Sequence, residues 1–367
     1  MLRLSPILAL AAGFAACAQH RVGDDYDAAG EAILATVPYD VVALLDEGVE
    51  RLGDEVLFVV YDHFRYTFDQ PEAKRQFEAD PERYAAQLGG ACARMGALSA
   101  TGMPSLYTVH EGKLYFFASE GCRDGFLAAP DKVLEPLMDQ AVTGGANEAL
   151  VAHELIEKSL AFLGGADSVD GAQLDWSLSG EQEYDGQVYE TAQRELVGPG
   201  ARYLTCTRWG EDAWTNRLDG DHGSLEDTWY GKRIANLSQR RAMERRLQAH
   251  LFPLYQLRND EHTYLSGSLE KGGVGILHLS VQGFSHRLGI DWGSGRILWH
   301  EYGGMGPDTT FGTVRDSFLT WETQDGLQIP IAWNRSFDGG EELFVSRGDE
   351  GWRVKVRRGD SLQRVDG

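Results

Sequence analysis

The chain has 367 residues, enough for two domains of ordinary size, and its 43% apolar and 10% aromatic content belongs to folded protein, not to a disordered chain. Its formal charge of −22 and isoelectric point near 4.8 argue against nucleic acid as a partner, because phosphate binding needs clustered Lys and Arg to release counterions. The same balance argues against loose adsorption to an anionic membrane surface.

Met1-Leu2-Arg3 is a short positive start, and residues 4–16 are a short apolar stretch of Leu and small residues. This is the layout of an export signal, too short to span a bilayer comfortably. It ends in Phe14-Ala15-Ala16-Cys17, which resembles a bacterial lipobox with Phe14 where Leu is usual. The resemblance implies a mature chain that starts at a lipidated Cys17, and Ala18 after it implies the outer membrane. The plainer alternative is cleavage near Ala16 or Ala18 and a soluble exported protein. Residues 18–30 are polar and acidic, and read as a tether. Export places the three remaining cysteines, Cys92, Cys122 and Cys206, in an oxidising compartment, where one disulfide leaves one thiol over.

Residues 31–52 carry apolar residues for one or two short helices broken at Pro38. An internal repeat follows. A shift of 49 residues lays Val60 on Val109, Tyr66 on Tyr115, Phe68 on Phe117, Phe77 on Phe126 and Pro81 on Pro130. A repeat of this period usually means one supersecondary unit used twice. In the first unit, residues 56–61 and 65–68 are β-branched and aromatic around Asp62-His63 and predict a hairpin, followed by a helix opened by Pro71 and a further turn at Pro81. In the second, residues 106–110 and 113–117 pair across Glu111-Gly112, Ser119 caps a helix through Cys122 and Phe126, and Pro130 opens the last turn.

The run from His110, HEGKLYFFASEGCRDGFLAAPDKV, resembles a YHS domain on Gly112, Tyr115, Phe117, Ser119, Cys122, Phe126 and Pro130. The first unit matches only the frame, with Ala73 where the second has Cys122. YHS domains are often associated with soft or transition metals, so the resemblance implies a copper or zinc ion held by Cys92 and Cys122, with His110 and Met95 or Met103 as further ligands. Two other readings stay open. Cys92 and Cys122 could form a disulfide that clamps the link between the units, or remain two reduced buried thiols.

Composition changes after Pro136, and residues 143–147 mark a boundary. Residues 150–163 place Ala152, Leu155, Ile156, Ser159, Leu160 and Leu163 on one face at helical spacing, and Gly164-Gly165 ends that helix. From Leu174 the period becomes two. Turns at Asp185-Gly186, Gly210-Glu211-Asp212, Gly293-Ser294-Gly295 and Asp325-Gly326 join strands, and residues 348–351 predict a last hairpin. Ser266-Gly267-Ser268 also reads as a turn. Residues 237–258 interrupt the pattern as a helix up to Leu251, with Pro253 near its end. A leading helix, about ten antiparallel strands and an internal helix predict a strongly curved half-barrel with a helical lid.

The phrases AFLGGADSV, LDWSLSGE, DAWTNRLDG and IDWGSGRILWHEY are similar to the LolA/LolB-type lipoprotein-carrier fold. That resemblance implies a concave sheet face that binds acyl chains or other hydrophobic ligands. Trp176, Trp214, Trp229, Trp299, Trp321 and Trp333 are the candidates to line it, with core filling as their alternative role. His153-Glu154 lacks a second His one turn on, so it is no zinc-hydrolase helix. No Gly-x-Ser-x-Gly elbow and no phosphate-binding loop occurs. His278, His286 and His300 lie in predicted strands and would bind a metal only if two share a face.

The expected chain is α+β: a signal peptide with lipobox at 1–17, a tether at 18–30, a tandem β-hairpin/helix YHS-like domain at 31–146 and a LolA/LolB-like half-barrel at 147–367. The expected function is that of a non-enzymatic envelope lipoprotein on the periplasmic side, anchored in the outer membrane through its N-terminal lipid. It would bind a hydrophobic ligand or an envelope protein. The alternative is a periplasmic thiol-redox protein or metallochaperone using Cys92 and Cys122.

Overall fold

The computed structural model describes residues 32–134, 145–184, 187–306, 308–346 and 353–358. The expectations for the export signal, Cys17, the tether, the first two residues of the 143–147 boundary and the Asp185-Gly186 turn lie outside them.

The repeat is present element by element. Strands β2 (Asp54–Tyr61) and β3 (Phe64–Phe68) and helices α1 (Pro71–Ala79) and α2 (Pro81–Tyr84) return 49 residues on. Their counterparts are β4 (Met103–His110), β5 (Lys113–Phe117), α3 (Glu120–Ala128) and α4 (Pro130–Val133). The hairpin turns correspond too, with positive φ at Asp62 and His63 and at Glu111 and Gly112, as a two-residue turn matching the strand twist requires. Each unit closes on the same aromatic triad. Phe77 packs on Tyr66 and Phe68 at ring-centroid distances of 4.8 and 5.3 Å. Phe126 packs on Tyr115 and Phe117 at 5.3 and 5.2 Å. Phe64 against Phe116, at 5.5 Å, joins the two units. Gly90 permits this joint: it has φ +68, and a Cβ there would fall 2.2 Å from the Phe64 ring.

The segment before the repeat departs from expectation. Residues 35–37 form strand β1 (Ala35–Val37), parallel to β3, and the only helical turn described in this stretch, Ala43–Glu47, follows Pro38. Thr36 and Val37 are β-branched, and Val37 is fully buried beside Tyr66, its partner in the ladder; strand pairing therefore outweighs local helix preference. In the second unit, α3 is capped as predicted, the Ser119 hydroxyl accepting from the Cys122 N–H at 3.2 Å. Ser119→Ala should cost about 1 kcal/mol, measured by chemical unfolding; no change would show that the cap is idle.

Helix α5 (Ala146–Leu163) buries the predicted face and ends at Gly164 in the left-handed region. A short helix, α6 (Ala166–Asp170), follows. Two seven-stranded antiparallel sheets come next. The first contains β6 (Ala172–Tyr184), β7 (Gln187–Gly198), β8 (Arg202–Trp209), β9 (Asp212–Asp219), β10 (His222–Asp227) and β11 (Gly231–Ile234). Helices α7 (Leu237–Gln248) and α8 (Leu251–Gln256) then lead to the second. It contains β12 (Thr263–Leu269), β13 (Val274–Val281), β14 (Phe284–Asp291), β15 (Ile297–Met305), β16 (Phe311–Gln324), β17 (Leu327–Phe337) and β18 (Leu343–Ser346).

Several expectations are corrected here. Fourteen strands form two open sheets among the described residues, where one bent sheet of about ten was expected. The Asn236 cap starts α7 directly after β11, so β11 and β12 are separated by helix and do not pair. The last two strands are not a hairpin: β18 pairs with β17, while β19 (Arg353–Arg358) crosses to pair with β6 of the first sheet. Ser266, Gly267 and Ser268 lie inside β12, not in a turn. Gly267 is there because α5 lies against this strand; a Cβ would meet the Ala152 nitrogen at 2.4 Å.

The main core is sandwiched between the sheets, α5, α7 and α8, and includes Leu155, Leu163, Leu247, Phe252, Leu277 and Ile329. Tyr255 ties α8 to α5 by donating to Ser159 Oγ at 2.7 Å. Among the described residues no helix is long and apolar enough to cross a membrane.

Candidate ligand cavity and thiol pair

A cavity of about 460 Å³ lies between the two sheets. The first sheet contributes Leu174, Trp176, Tyr203 and Trp214, the joint between α7 and α8 contributes Ala249, α8 contributes Leu251 and Phe252, and the second sheet contributes Val314, Phe318 and Trp333. Of the six predicted tryptophans, Trp176, Trp214 and Trp333 line it. The other three lie elsewhere. Trp229 sits in the turn after β10, its backbone N–H donating to the Asp227 carboxylate. Trp299 carries the guanidinium groups of Arg287 and Arg315 on its ring. Trp321 packs edge-on against Phe162 and beside Phe318.

The cavity wall also holds charged groups that sequence reasoning missed. Arg335 grips Asp316 with two hydrogen bonds, at 2.7 and 2.8 Å, and Tyr302 donates to the same carboxylate at 3.2 Å. Burial opposes the Arg335 charge, but Asp316 and Tyr302 more than offset this and raise its pKa. Glu195 accepts from the Trp176 indole at 2.8 Å and faces His250 at 3.3 Å. Burial, then the Glu195 charge, raises the Tyr203 hydroxyl. Arg245 lies over the rings of Phe284 and Phe311 at 4.3 and 4.7 Å. These charges are paired or stacked, as groups taken out of water must be. The one hint in sequence was α7, whose Arg-rich face includes a residue, Arg245, only 7% exposed.

Behind this wall His286 and His300 do share a face. Their Nδ1 and Nε2 atoms are 3.1 Å apart, and His286 Nε2 faces Gln248 Oε1 at 3.3 Å. They bond to each other and to Gln248, a satisfied polar chain and not a ligand set. His278 lies on the other face of β13.

Cys92 and Cys122 are free thiols in hydrogen-bonding contact, so the disulfide clamp is not present. Cys92 is fully buried and Cys122 partly exposed. The bond from Cys92, with help from Ser119 and Arg94, pulls the Cys122 thiol down to about 6 against the opposing effect of burial. Cys206 lies apart, in β8, beside the Thr215 hydroxyl at 3.5 Å.

The donor set expected for copper or zinc does not assemble. His110 stands edge-on to Phe126 at 5.8 Å, and its Nε2 faces Asp131 at 3.9 Å. Its ligand atom groups with those of Glu111 and Asp131, within 4.8 Å of one another, and not with the two sulfurs. Met95 packs against the cysteine cluster, which leaves two sulfurs and a thioether without an imidazole.

No protein-family model matches the chain, and no curated protein matches it. Among solved structures it is similar to a DUF1329 family protein from Desulfovibrio piger, at 9% identity and a TM-score of 0.33, over 57% of this chain and 93% of that one. It is also similar to a LolA superfamily protein from Nitrosomonas europaea, at 11% identity and a TM-score of 0.36, over 57% of this chain and 94% of that one.

Proposed function

We propose that this chain is a non-enzymatic carrier of the cell envelope that holds an acyl-chain ligand between its two sheets. The observation behind this reading is the cavity itself. Its volume falls within the roughly 300–1,000 Å³ of small-molecule sites, it has aromatic and aliphatic residues on three sides, and Arg335, Asp316, Glu195 and Arg245 in its wall are paired or stacked on rings. In this reading the export signal brings the chain to the periplasmic side, lipid on Cys17 holds it at the outer membrane, and the acidic tether gives the two folded parts reach. The tandem YHS-like part, residues 31–146, serves as a companion module to the two-sheet carrier part, residues 147–367.

Native mass spectrometry after mild extraction should show a co-purified lipid, and a fluorescent long-chain fatty acid should bind the delipidated protein. Ala249→Trp fills the cavity and should weaken the probe at least about tenfold, equivalent to ~1.4 kcal/mol, with the unfolding midpoint kept. Protein that carries no lipid and takes up no probe would overturn the carrier reading and favour a protein partner.

A further inference from the structure

The connection between the two repeated units, residues 92–99, links the thiol pair to the cavity. Its base is Cys92. The Cys92 carbonyl accepts from the N–H groups of Met95 and Gly96 at 2.9 and 3.0 Å and from the Ser99 hydroxyl at 3.2 Å, and the Cys92 N–H donates to Ala100 at 2.9 Å. One residue therefore closes the loop from both ends. The tip reaches the other core. Met95, Gly96, Ala97 and Leu98 line the cavity, and Leu98 belongs to the main hydrophobic core between the sheets. Gly96 has φ +88, and a Cβ there would lie 2.9 Å from the Met305 methyl group. Arg94 spans the joint: its Nη2 donates to the Asp308 carbonyl at 2.6 Å, and its Nε lies 3.0 Å from where a Gly125 Cβ would be.

Cys92, at the base of this loop, is a buried residue, and Cys122, which it touches, is a partly exposed one at the start of α3. That is the arrangement needed for attack by one thiol and resolution by the other. We propose that Cys92 and Cys122 are a dithiol that exchanges with disulfides of small thiols or proteins, and that closing it fixes residues 95–98 as the roof of the cavity.

In the first step the Cys122 thiolate attacks one sulfur of a disulfide R–S–S–R, breaks that bond and releases one RS⁻. In the second, Cys92 loses its proton and attacks Cys122 Sγ in the mixed disulfide, releasing the second RS⁻. Two cysteine thiols are oxidised by two electrons, one external disulfide is reduced to two RSH, and the two cysteine protons end on those products. A covalent bond then replaces a contact that can part. The loop base can no longer leave α3, and its tip stays in the cavity mouth. The effect on ligand exchange rests on the carrier reading; the thiol chemistry does not.

The test uses the full chain carrying Cys206→Ser, treated anaerobically with oxidised glutathione. Mass spectrometry should show the loss of two hydrogens and a linked Cys92–Cys122 peptide. A stable glutathione adduct on Cys122, or no reaction, overturns the proposal. Dissociation of the fluorescent fatty acid should slow roughly tenfold on oxidation, and Cys92→Ser or Cys122→Ser should remove that redox dependence. Equal rates in both states overturn the roof. Where no fatty acid binds in either state, the carrier reading fails instead, and hydrogen exchange at residues 95–98 decides the roof: slower exchange on oxidation supports it, and no change overturns it.

Discussion

Acidification from about pH 6.5 to about pH 5 is expected to destabilise the fold through His286 and His300 by about 3 kcal/mol together. Both imidazoles are nearly inaccessible, 2% and 1% exposed. Burial first, then the neighbouring His300 and Arg245, pushes His286 well below its ordinary value. Burial, then His250 and Arg335, pushes His300 to about 3. A folded pKa below the unfolded value means that the unfolded chain binds more protons in the window between them. Stability from these residues is therefore present above about pH 6.5 and is lost as pH falls toward the folded pKa values. The geometry gives the reason. Each neutral imidazole can donate once and accept once along the chain His300, His286, Gln248, Gln282 and Asp260. With His286 Nε2 donating to Gln248, His286 Nδ1 accepts from His300, and a proton added to His286 removes that acceptor without replacement.

Raised carboxyl groups oppose this slope. Burial lifts Asp40, Asp62 and Glu244, so the folded state holds protons there that the unfolded state gives up. The measurement is thus a difference, urea unfolding across this pH range for the parent and for His286→Leu/His300→Phe. The parent should lose stability on acidification relative to the double variant. Parallel curves would show that the pair does not titrate on unfolding.

The second large effect concerns Asp316. Its side chain is 7% exposed, and it holds Arg335, which is about a third exposed and lines the cavity. Asp316→Ala leaves a guanidinium without its bidentate partner, a change that costs roughly 3–5 kcal/mol for a fully buried pair. Water in the cavity screens part of this, so about 2–4 kcal/mol is expected. Removing both charges is a different case. Asp316→Leu/Arg335→Met should recover most of the loss, because the remaining cost is one of packing and not of stranded charge. Unfolding of the single and double variants gives the answer: if Asp316→Ala is neutral, the pair contributes no more than a surface ion pair does.

Much of the chain is legible one element at a time. The 49-residue shift aligns hairpins, helices and aromatic triads because each unit closes on its own residues, Phe77 over Tyr66 and Phe68, then Phe126 over Tyr115 and Phe117. The buried face of α5 follows from spacing because only one side of it meets the sheet. The tryptophans are harder to place. Trp299 and His300 are neighbours in β15, and the polar residue is the buried one, since His286 on β14 satisfies it and is itself held by Gln248 of α7. A period of two separates the faces of a strand but does not name the inner one when both are partly covered. The metal set fails for a related reason: residue type suggested His110, but the β4–β5 turn carries it to Asp131.

Local pattern alone determined the repeated unit, the starts of its helices, the extent of α5 and most of the described turns, because those depend on neighbours a few residues away; it ran the α7 helix to Leu251, where the structure stops it at Gln248 and starts α8. Only the tertiary structure decided that β19 returns to β6, that β11 and β12 part, and that residues 95–98 reach the cavity. Those outcomes depend on which distant surfaces bury each other, and that information is spread over contacts hundreds of residues apart, such as Arg94 with Asp308.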